Sequence, residues 1–345
     1  MKGVFFLGAD KEKKFEVRDM TFGEPGPHDV FVRNMACGIC GTDVHIYHGE
    51  EGSAAVVPPV VLGHEFSGIV EAVGSDVTVV RPGDHITVDP NKYCGLCRPC
   101  RMGKKQNCEH LFAVGVNVNG GFAQYSMFED TQCFKINDDV DFDVAAMAEP
   151  LACVIHGIDL AEIRPGQNVA VIGTGAIGFL MMQMAKIEGA AKVIMCATND
   201  EKCRMALELG ADYAINSKTE NLEEKIREYT GCSGADVVIE CVGKTAAVQQ
   251  AFKIAGLGAK IVIFSVPSPG ATVELPLFDV FKKELCITGS IINPDTHQRS
   301  VNLINSGKIR IKDLITHTYP LAGLEDAIKM QMSRESIKVV VHPQE

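Results

Sequence analysis

Val169-Ala170-Val171-Ile172 runs straight into Gly173-Thr174-Gly175-Ala176-Ile177-Gly178, and helical spacing then continues to Glu188. A short apolar strand, a G-x-G-x-x-G turn and a helix, in that order, restrict the fold more than any other stretch of the chain. The first glycine permits a tight turn, the second lets backbone approach a pyrophosphate, and the third lets the helix pack closely on its strand. The helix start adds N–H groups and a positive dipole end for the phosphates. A second strand over residues 193–197 and a helix over 200–209, closed by Gly210, repeat the unit. Strand-like runs return at 236–239, 259–264 and 285–288. Strands alternating with helices predict a parallel sheet covered on both faces. The reading is an α/β chain with a doubly wound Rossmann domain over residues 151–289, and Gly173, Gly175, Ile177 and Gly178 at a dinucleotide.

Residues 1–150 have a different texture. Short apolar runs, such as Val30-Phe31-Val32 and Gly68-Ile69-Val70, are punctuated by turns of the Arg81-Pro82-Gly83-Asp84 kind. After residue 290 come an amphipathic helix over 297–305, a further segment near 324–332 and a last strand over 338–342. The expected organisation is a β-rich domain made of residues 1–150 and 290–345, interrupted by the inserted α/β domain.

Cys94, Cys97, Cys100 and Cys108 form C-x2-C-x2-C-x7-C. Four thiolates at this spacing can surround one zinc ion as a closed, structural shell. An iron–sulfur cluster is the other functional reading, since thiolates also hold iron. Other ligand-type residues lie outside this lobe, in Cys37-Gly38-Ile39-Cys40-Gly41-Thr42-Asp43-Val44-His45, in Gly63-His64-Glu65 and in Ala148-Glu149-Pro150. Each of these has an ordinary reading as core, surface or turn, and their spacings alone do not identify a metal site.

Gly38-Ile39-Cys40-Gly41-Thr42-Asp43, Gly63-His64-Glu65, the four-cysteine lobe, Gly120-Gly121-Phe122-Ala123-Gln124-Tyr125 and Glu149-Pro150-Leu151 stand in the order seen in zinc-containing medium-chain dehydrogenases. The chain resembles that family from its N-terminus to about Thr318, and most of all its polyol, butanediol and threonine dehydrogenase branch. The resemblance implies a GroES-like catalytic domain, two zinc ions per chain, and dimers or tetramers associating through the Rossmann domain. It matches the catalytic-zinc ligands to Cys40, His64, Glu65 and Glu149, without deciding which glutamate binds directly. Glu149 stands where the family's alcohol dehydrogenases often carry cysteine, which points to the polyol and threonine side. The resemblance also places the Thr42 hydroxyl against the substrate oxygen and a cofactor ribose, makes His45 the outer member of a proton relay, and has Asp43 orient His64. On residues alone, Asp43 reads equally well as a turn or cap aspartate. A mixed sulfur, nitrogen and oxygen shell suits a zinc that polarises a substrate oxygen, and imidazole suits a relay near neutral pH.

An acidic residue is expected about 20 residues after the glycines, at the end of the second strand, to hold the ribose 2′-OH. Family members specific for NAD carry aspartate where this chain has Ala197. Ala197 neither attracts that hydroxyl nor repels a 2′-phosphate, Thr198 and Asn199 can donate hydrogen bonds, and Lys202 can supply charge. NADP(H) is therefore expected over NAD(H). No arginine occupies this loop, and Asp200 and Glu201 oppose a phosphate. Asp200 reads as the N-cap of its helix.

A net charge of −11 opposes a nucleic-acid-binding surface. No apolar run reaches the roughly 18 residues of a membrane span. Thirteen cysteines without a secretory leader pattern fit reduced thiols and a cytoplasmic address. The expected partner is a small alcohol or ketone. Thr42 to Tyr47 looks threonine-dehydrogenase-like and Glu149 to His156 polyol-like. Ser290 to Pro294 lacks the arginine that sorbitol-type enzymes place there, so polyol, polyol phosphate, vicinal diol and amino alcohol stay open. A zinc-free quinone-reductase-like enzyme and a non-catalytic nucleotide-binding sensor are the rival readings. Retention of Cys40, His64 and Glu149 opposes the first, and Thr42 with His45 opposes the second.

Overall fold

A computed structural model describes residues 1–50, 54–333 and 335–345. The chain divides into two compact units, one of Met1–Cys153 with Ile292–Glu345, the other of Val154–Ile291.

The first unit is built on a seven-stranded sheet. Asp29–Gly38 lies at its centre because its alternate residues are buried on one face. It pairs antiparallel with Glu65–Val73, Tyr125–Glu129 and the tail strand Lys338–His342. Val30, Val32, Leu62, Phe66 and Phe122 fill the core against it. The register sets Gly38 opposite both Glu65 and Val340, so the last strand reaches the segment that carries Cys40. A side chain on Gly38 would collide with the Glu65 carboxylate and the Lys338 stem, so only glycine allows this approach.

The second unit holds a six-stranded parallel sheet in the order Tyr213–Asn216, Lys192–Ala197, Asn168–Ile172, Ala235–Glu240, Ala255–Ile263, Cys286–Gly289. Numbered within the unit this is 3-2-1-4-5-6, the doubly wound order whose reversal lies beside the first strand. Ala170, Ile172, Ile194, Ile215, Val238 and Ile261 form its buried middle. The apolar run at 169–172 and the helix Ala176–Ile187 that follows the glycines stand where their sequence predicts.

Three local expectations need correction. Residues 41–47 form a helix, Gly41–Tyr47, where the sequence suggests only a turn. Glu149-Pro150 opens a helix, Ala148–Ala161, and Pro150 is tolerated there because first-turn N–H groups have no intrahelical partner. The N-cap of Asp200–Glu208 is Asn199, not Asp200, and its Oδ1 accepts from the Lys202 N–H at 2.8 Å. All thirteen cysteines are free thiols. Among the described residues no helix is long and apolar enough to cross a membrane.

Candidate metal centres and dinucleotide site

The sulfur atoms of Cys94, Cys97, Cys100 and Cys108 all lie within 4.8 Å of one another. Cys94 and Cys100 are 4.0 Å apart, as are Cys97 and Cys108. Tetrahedral zinc with bonds of about 2.3 Å sets its sulfurs roughly 3.8 Å apart, so the spacing fits one ion and is too tight for a multi-iron cluster. Backbone donors prepare the thiolates. The N–H groups of Cys97 and Leu96 donate to Cys94 Sγ at 3.4 and 3.5 Å, and they hold that thiol down at about 6. Cys108 Sγ accepts from the N–H groups of Cys94 and His110.

The second constellation begins where the central strand ends. Cys40 precedes the helix Gly41–Tyr47 in extended conformation, and its N–H donates to Asp43 Oδ2 at 2.8 Å. Asp43 therefore does the work of a cap. Its other oxygen lies 3.9 Å from His64 Nδ1, too far for a hydrogen bond, and both of those atoms are buried without a partner among the described residues. Cys40, His64 and Glu65 bring one ligand atom each within 4.8 Å of the others. Glu149 is not in that close set. It is buried, and its Oε1 accepts from the Cys153 thiol at 3.2 Å.

The electrostatics of this cluster call for a cation. Burial pushes the Glu149 carboxyl up to about 7 and Asp43 to about 6, while the adjacent His64 pulls each down. Burial works against charge on His64 too, but Cys40, Asp43 and Glu149 outweigh it and hold the imidazole well above its ordinary range. A half-buried thiol, a buried imidazole and a buried carboxylate drawn this close together fit a zinc ion of the catalytic kind.

Lys338 was not legible beforehand. It is buried, donates to the Ile39 carbonyl at 2.8 Å and pairs with Glu65 Oε2. One oxygen of Glu65 is thus committed to a lysine from the tail strand, and one oxygen of Glu149 to a thiol one helical turn along. Glu50 is a second addition, its carboxylate meeting His45 Nδ1. Thr42 and His45, three apart on the same helix, share a face.

In the second unit, Gly173 has φ of 119°, a conformation that side chains disfavour. A Cβ on Gly178 would lie 2.1 Å from the Gly173 carbonyl, so the helix can pack this closely only with glycine there. Gly175 is the N-cap of Ala176–Ile187, with no side-chain cap and open space where a Cβ would stand. Ile177 sits in the same first turn. This cradle fits a pyrophosphate. Ala197 is buried at the end of its strand, and its carbonyl accepts from both Ser217 N and Ser217 Oγ at 2.9 Å. Thr198 and Asn199 are exposed and Lys202 is half-buried. Capping uses Asn199 Oδ1 and leaves its Nδ2 donors for another acceptor. Asp200 accepts from Asn216 Nδ2 at 2.7 Å, so its charge is partly engaged. Exposed Lys218 follows Asn216, which is the register partner of Ala197.

Residues 26–138 match the alcohol dehydrogenase GroES-like domain, and residues 176–306 match the zinc-binding dehydrogenase model. The chain is 34% identical over 319 residues to an L-threonine 3-dehydrogenase of Bacillus licheniformis, covering 92% of each protein. The chain belongs to the zinc-containing medium-chain dehydrogenases/reductases. A sorbitol dehydrogenase of Halalkalibacterium halodurans is also 34% identical, over 335 residues, 95% of this chain and 96% of the relative. Among solved structures, a zinc-binding dehydrogenase of Sinorhizobium meliloti bound to NADP superposes with a TM-score of 0.93 at 39% identity, over 99% of both chains. The 2R,3R-butanediol dehydrogenase of Bacillus subtilis gives 0.88 at 27% identity over 99% of both. This medium-chain dehydrogenase is accordingly an oxidoreductase that passes a hydride between an alcohol and a nicotinamide dinucleotide.

Proposed function

We propose that this dehydrogenase oxidises a secondary alcohol bearing further hydroxyl or amino groups, with a catalytic zinc held by Cys40, His64 and a glutamate, a structural zinc in the four-cysteine lobe, and NADP(H) as the favoured cofactor. The observation that carries the reading is half-buried Cys40 drawn together with buried His64 and Glu65, a donor set that suits zinc. The names of the relatives, which include threonine, sorbitol and D-xylulose enzymes, support the substrate class. Galactitol-1-phosphate and L-idonate dehydrogenases among the solved relatives keep phosphorylated and acidic polyols in the same class.

When bound at the mixed set, zinc supplies Lewis acidity toward the substrate oxygen. The residues do the rest. Asp43 holds the Cys40 backbone and faces His64 Nδ1, which leaves Nε2 as the nitrogen able to ligate. Lys338 balances Glu65, so that Glu65 adds little net charge to the centre. Glu50 on Nδ1 of His45 keeps a proton there and makes Nε2 the accepting atom. Thr42 stands one turn earlier to hand the alcohol proton outward.

Ala197, the exposed donors of Thr198 and Asn199, and the cations Lys202 and Lys218 support NADP(H). The NADP-bound relative lends the same support. The address is proposed as cytoplasmic, from the thirteen free thiols. A homo-oligomer is proposed from an apolar patch on the second unit. The test is a screen of vicinal diols, polyols, sugar phosphates and threonine with NAD and NADP, alongside metal analysis. Two zinc ions per chain and a higher kcat/KM with NADP are expected, and Ala197→Asp is expected to turn the preference toward NAD. A native enzyme with a tenfold NAD preference refutes the cofactor assignment, and a single zinc refutes the two-site assignment.

A further inference from the structure

Glu240 ends the strand Ala235–Glu240 and is completely buried. An acidic side chain in a core is costly unless its oxygens are hydrogen-bonded, and here both are. Oε1 accepts from the Val242 and Gly243 N–H groups at 2.6 and 2.9 Å, and Oε2 accepts from the Ser265 hydroxyl. The sheet does not need these bonds. Ala235–Glu240 and Ala255–Ile263 are already paired, with Glu240 opposite Ile263, and the Glu240 carbonyl accepts from the Phe264 N–H at 3.0 Å. What the carboxylate adds is a link between two loops beyond the strand ends, residues 241–243 and 264–266. Val242 and Val266 on these loops are 42% and 56% exposed, so the link is not spent on packing a core.

Both loops stand beside the glycine turn. Ile172, the residue before Gly173, is the register partner of Glu240, and its carbonyl accepts from the Cys241 N–H at 2.9 Å. A Cβ on Gly173 would lie 3.1 Å from both the Cys241 carbonyl oxygen and Val242 Cγ2. One on Gly243, where φ is 77°, would lie 2.9 Å from the Val266 carbonyl oxygen. The glycine turn thus abuts the first loop, and the first loop abuts the second. Both lie across the switch point from Ala197, and a doubly wound sheet takes one half of a dinucleotide on each side of that point. With the pyrophosphate at the glycines and the adenosine ribose toward Ala197, the loops after Glu240 and Ile263 are on the side of the nicotinamide half.

We propose that Glu240 is a positioning residue for the cofactor: its carboxylate holds these two loops in the shape that receives the nicotinamide half of the dinucleotide. It acts through Val242, Gly243 and Ser265, not by touching the reacting atoms.

The experiment measures dissociation constants on the full chain, by nucleotide fluorescence and by competition. The probes are whichever of NADH and NADPH the native enzyme binds more tightly, and the matching fragment without nicotinamide, ADP-ribose or 2′-phospho-ADP-ribose. Ser265→Ala cuts only the link to the second loop. It is expected to weaken binding of the whole dinucleotide about fivefold and of the fragment less than about twofold, with the melting temperature held. Glu240→Ala unties both loops and is expected to weaken the whole dinucleotide by about tenfold or more. Glu240→Gln keeps an oxygen for the two N–H groups and offers an amide from which the Ser265 hydroxyl can accept, so it is expected to recover most of that loss. Equal losses on dinucleotide and fragment overturn the proposal and leave Glu240 a structural group of the sheet. Unchanged binding of both probes in Ser265→Ala and Glu240→Ala overturns it too, since the loops then keep their shape unaided. If Glu240→Ala does not fold, Ser265→Ala decides alone, by the same split between dinucleotide and fragment.

Discussion

His45 and Asp89 show how single positions carry chemistry that their neighbours define. With the Glu50 carboxylate on His45 Nδ1, the proposed relay would use Nε2 as the accepting atom at its outer end. His45→Ala is expected to keep both zinc ions, to lower alcohol oxidation by roughly ten- to a thousandfold near neutral pH, and to recover in part as solvent base replaces the imidazole at higher pH. Loss of the catalytic zinc in that variant would make His45 a ligand and end the relay assignment. Asp89 gives a pH prediction. Burial raises its carboxyl to about 6 in the folded chain, against the pull of Asn91 and Asn293. A carboxyl raised on folding favours the native state while protonated, and that advantage is lost as pH rises from about 4 through about 6. Asparagine can accept the same two hydrogen bonds without the charge. Asp89→Asn is therefore expected to stabilise the protein above pH 6 by on the order of 2 kcal/mol, with the difference fading toward pH 4, as thermal unfolding across that range will show. The cysteine spacing made the four-cysteine lobe legible in the sequence, whereas Cys40 and His64 were reached only through the family resemblance. Lys338 was reached by neither, because only strand register sets it beside Glu65, 273 positions away. Choosing between Asn199 and Asp200 as cap was equally out of reach, since either side chain can cap and the end of the preceding strand decides.

Elements explain most of what the sequence did and did not disclose. Long periodic stretches were readable to their ends, and the helix His297–Asn305 and the strand Lys338–His342 have the bounds their patterns predict. The helix Gly41–Tyr47 was not, because seven residues beginning with glycine are too few to show a period. Ala148–Ala161 was masked by Pro150, and with it the contact between Glu149 and Cys153, which needs helical i, i+4 spacing. The lobe around Cys94–Cys108 is the opposite case, with little regular structure and a plain ligand pattern. It holds only the short helix Arg98–Arg101 and the turn Lys105–Asn107. Such a segment buries little of its own surface, so a metal ion held there would supply folding energy. Cys97→Ser is expected to cost one zinc and several degrees of melting temperature, with Cys40→Ser instead abolishing turnover while the lobe keeps its ion. Equal thermal losses in the two variants, measured with zinc content in parallel, would contradict separate structural and catalytic roles.

At the scale of the whole molecule, the candidate metal ligands belong to one unit and the glycine turn to the other. The second unit has a further feature that a single chain leaves unexplained. Its sheet ends in Cys286–Gly289, a strand with one unpaired side and largely exposed residues. The helix Leu277–Lys283 carries Leu277, Phe278 and Phe281 at 71%, 69% and 80% exposure, and Ile287 on the edge strand is also exposed. An open sheet edge next to large bare side chains invites pairing with another strand, and natural edges are usually guarded by charge or proline. Here the edge strand Cys-Ile-Thr-Gly has neither. A second copy of the chain, related by a twofold axis, would pair edge with edge and bury both patches at once. Phe281→Glu combined with Leu277→Asp is expected to abolish this proposed assembly in light scattering, with the zinc content of each chain unchanged, because the patch lies outside the unit that holds the candidate ligands. A native protein that already runs at the mass of one chain at micromolar concentration would show that this edge stays open, and the twofold assembly would have to be abandoned.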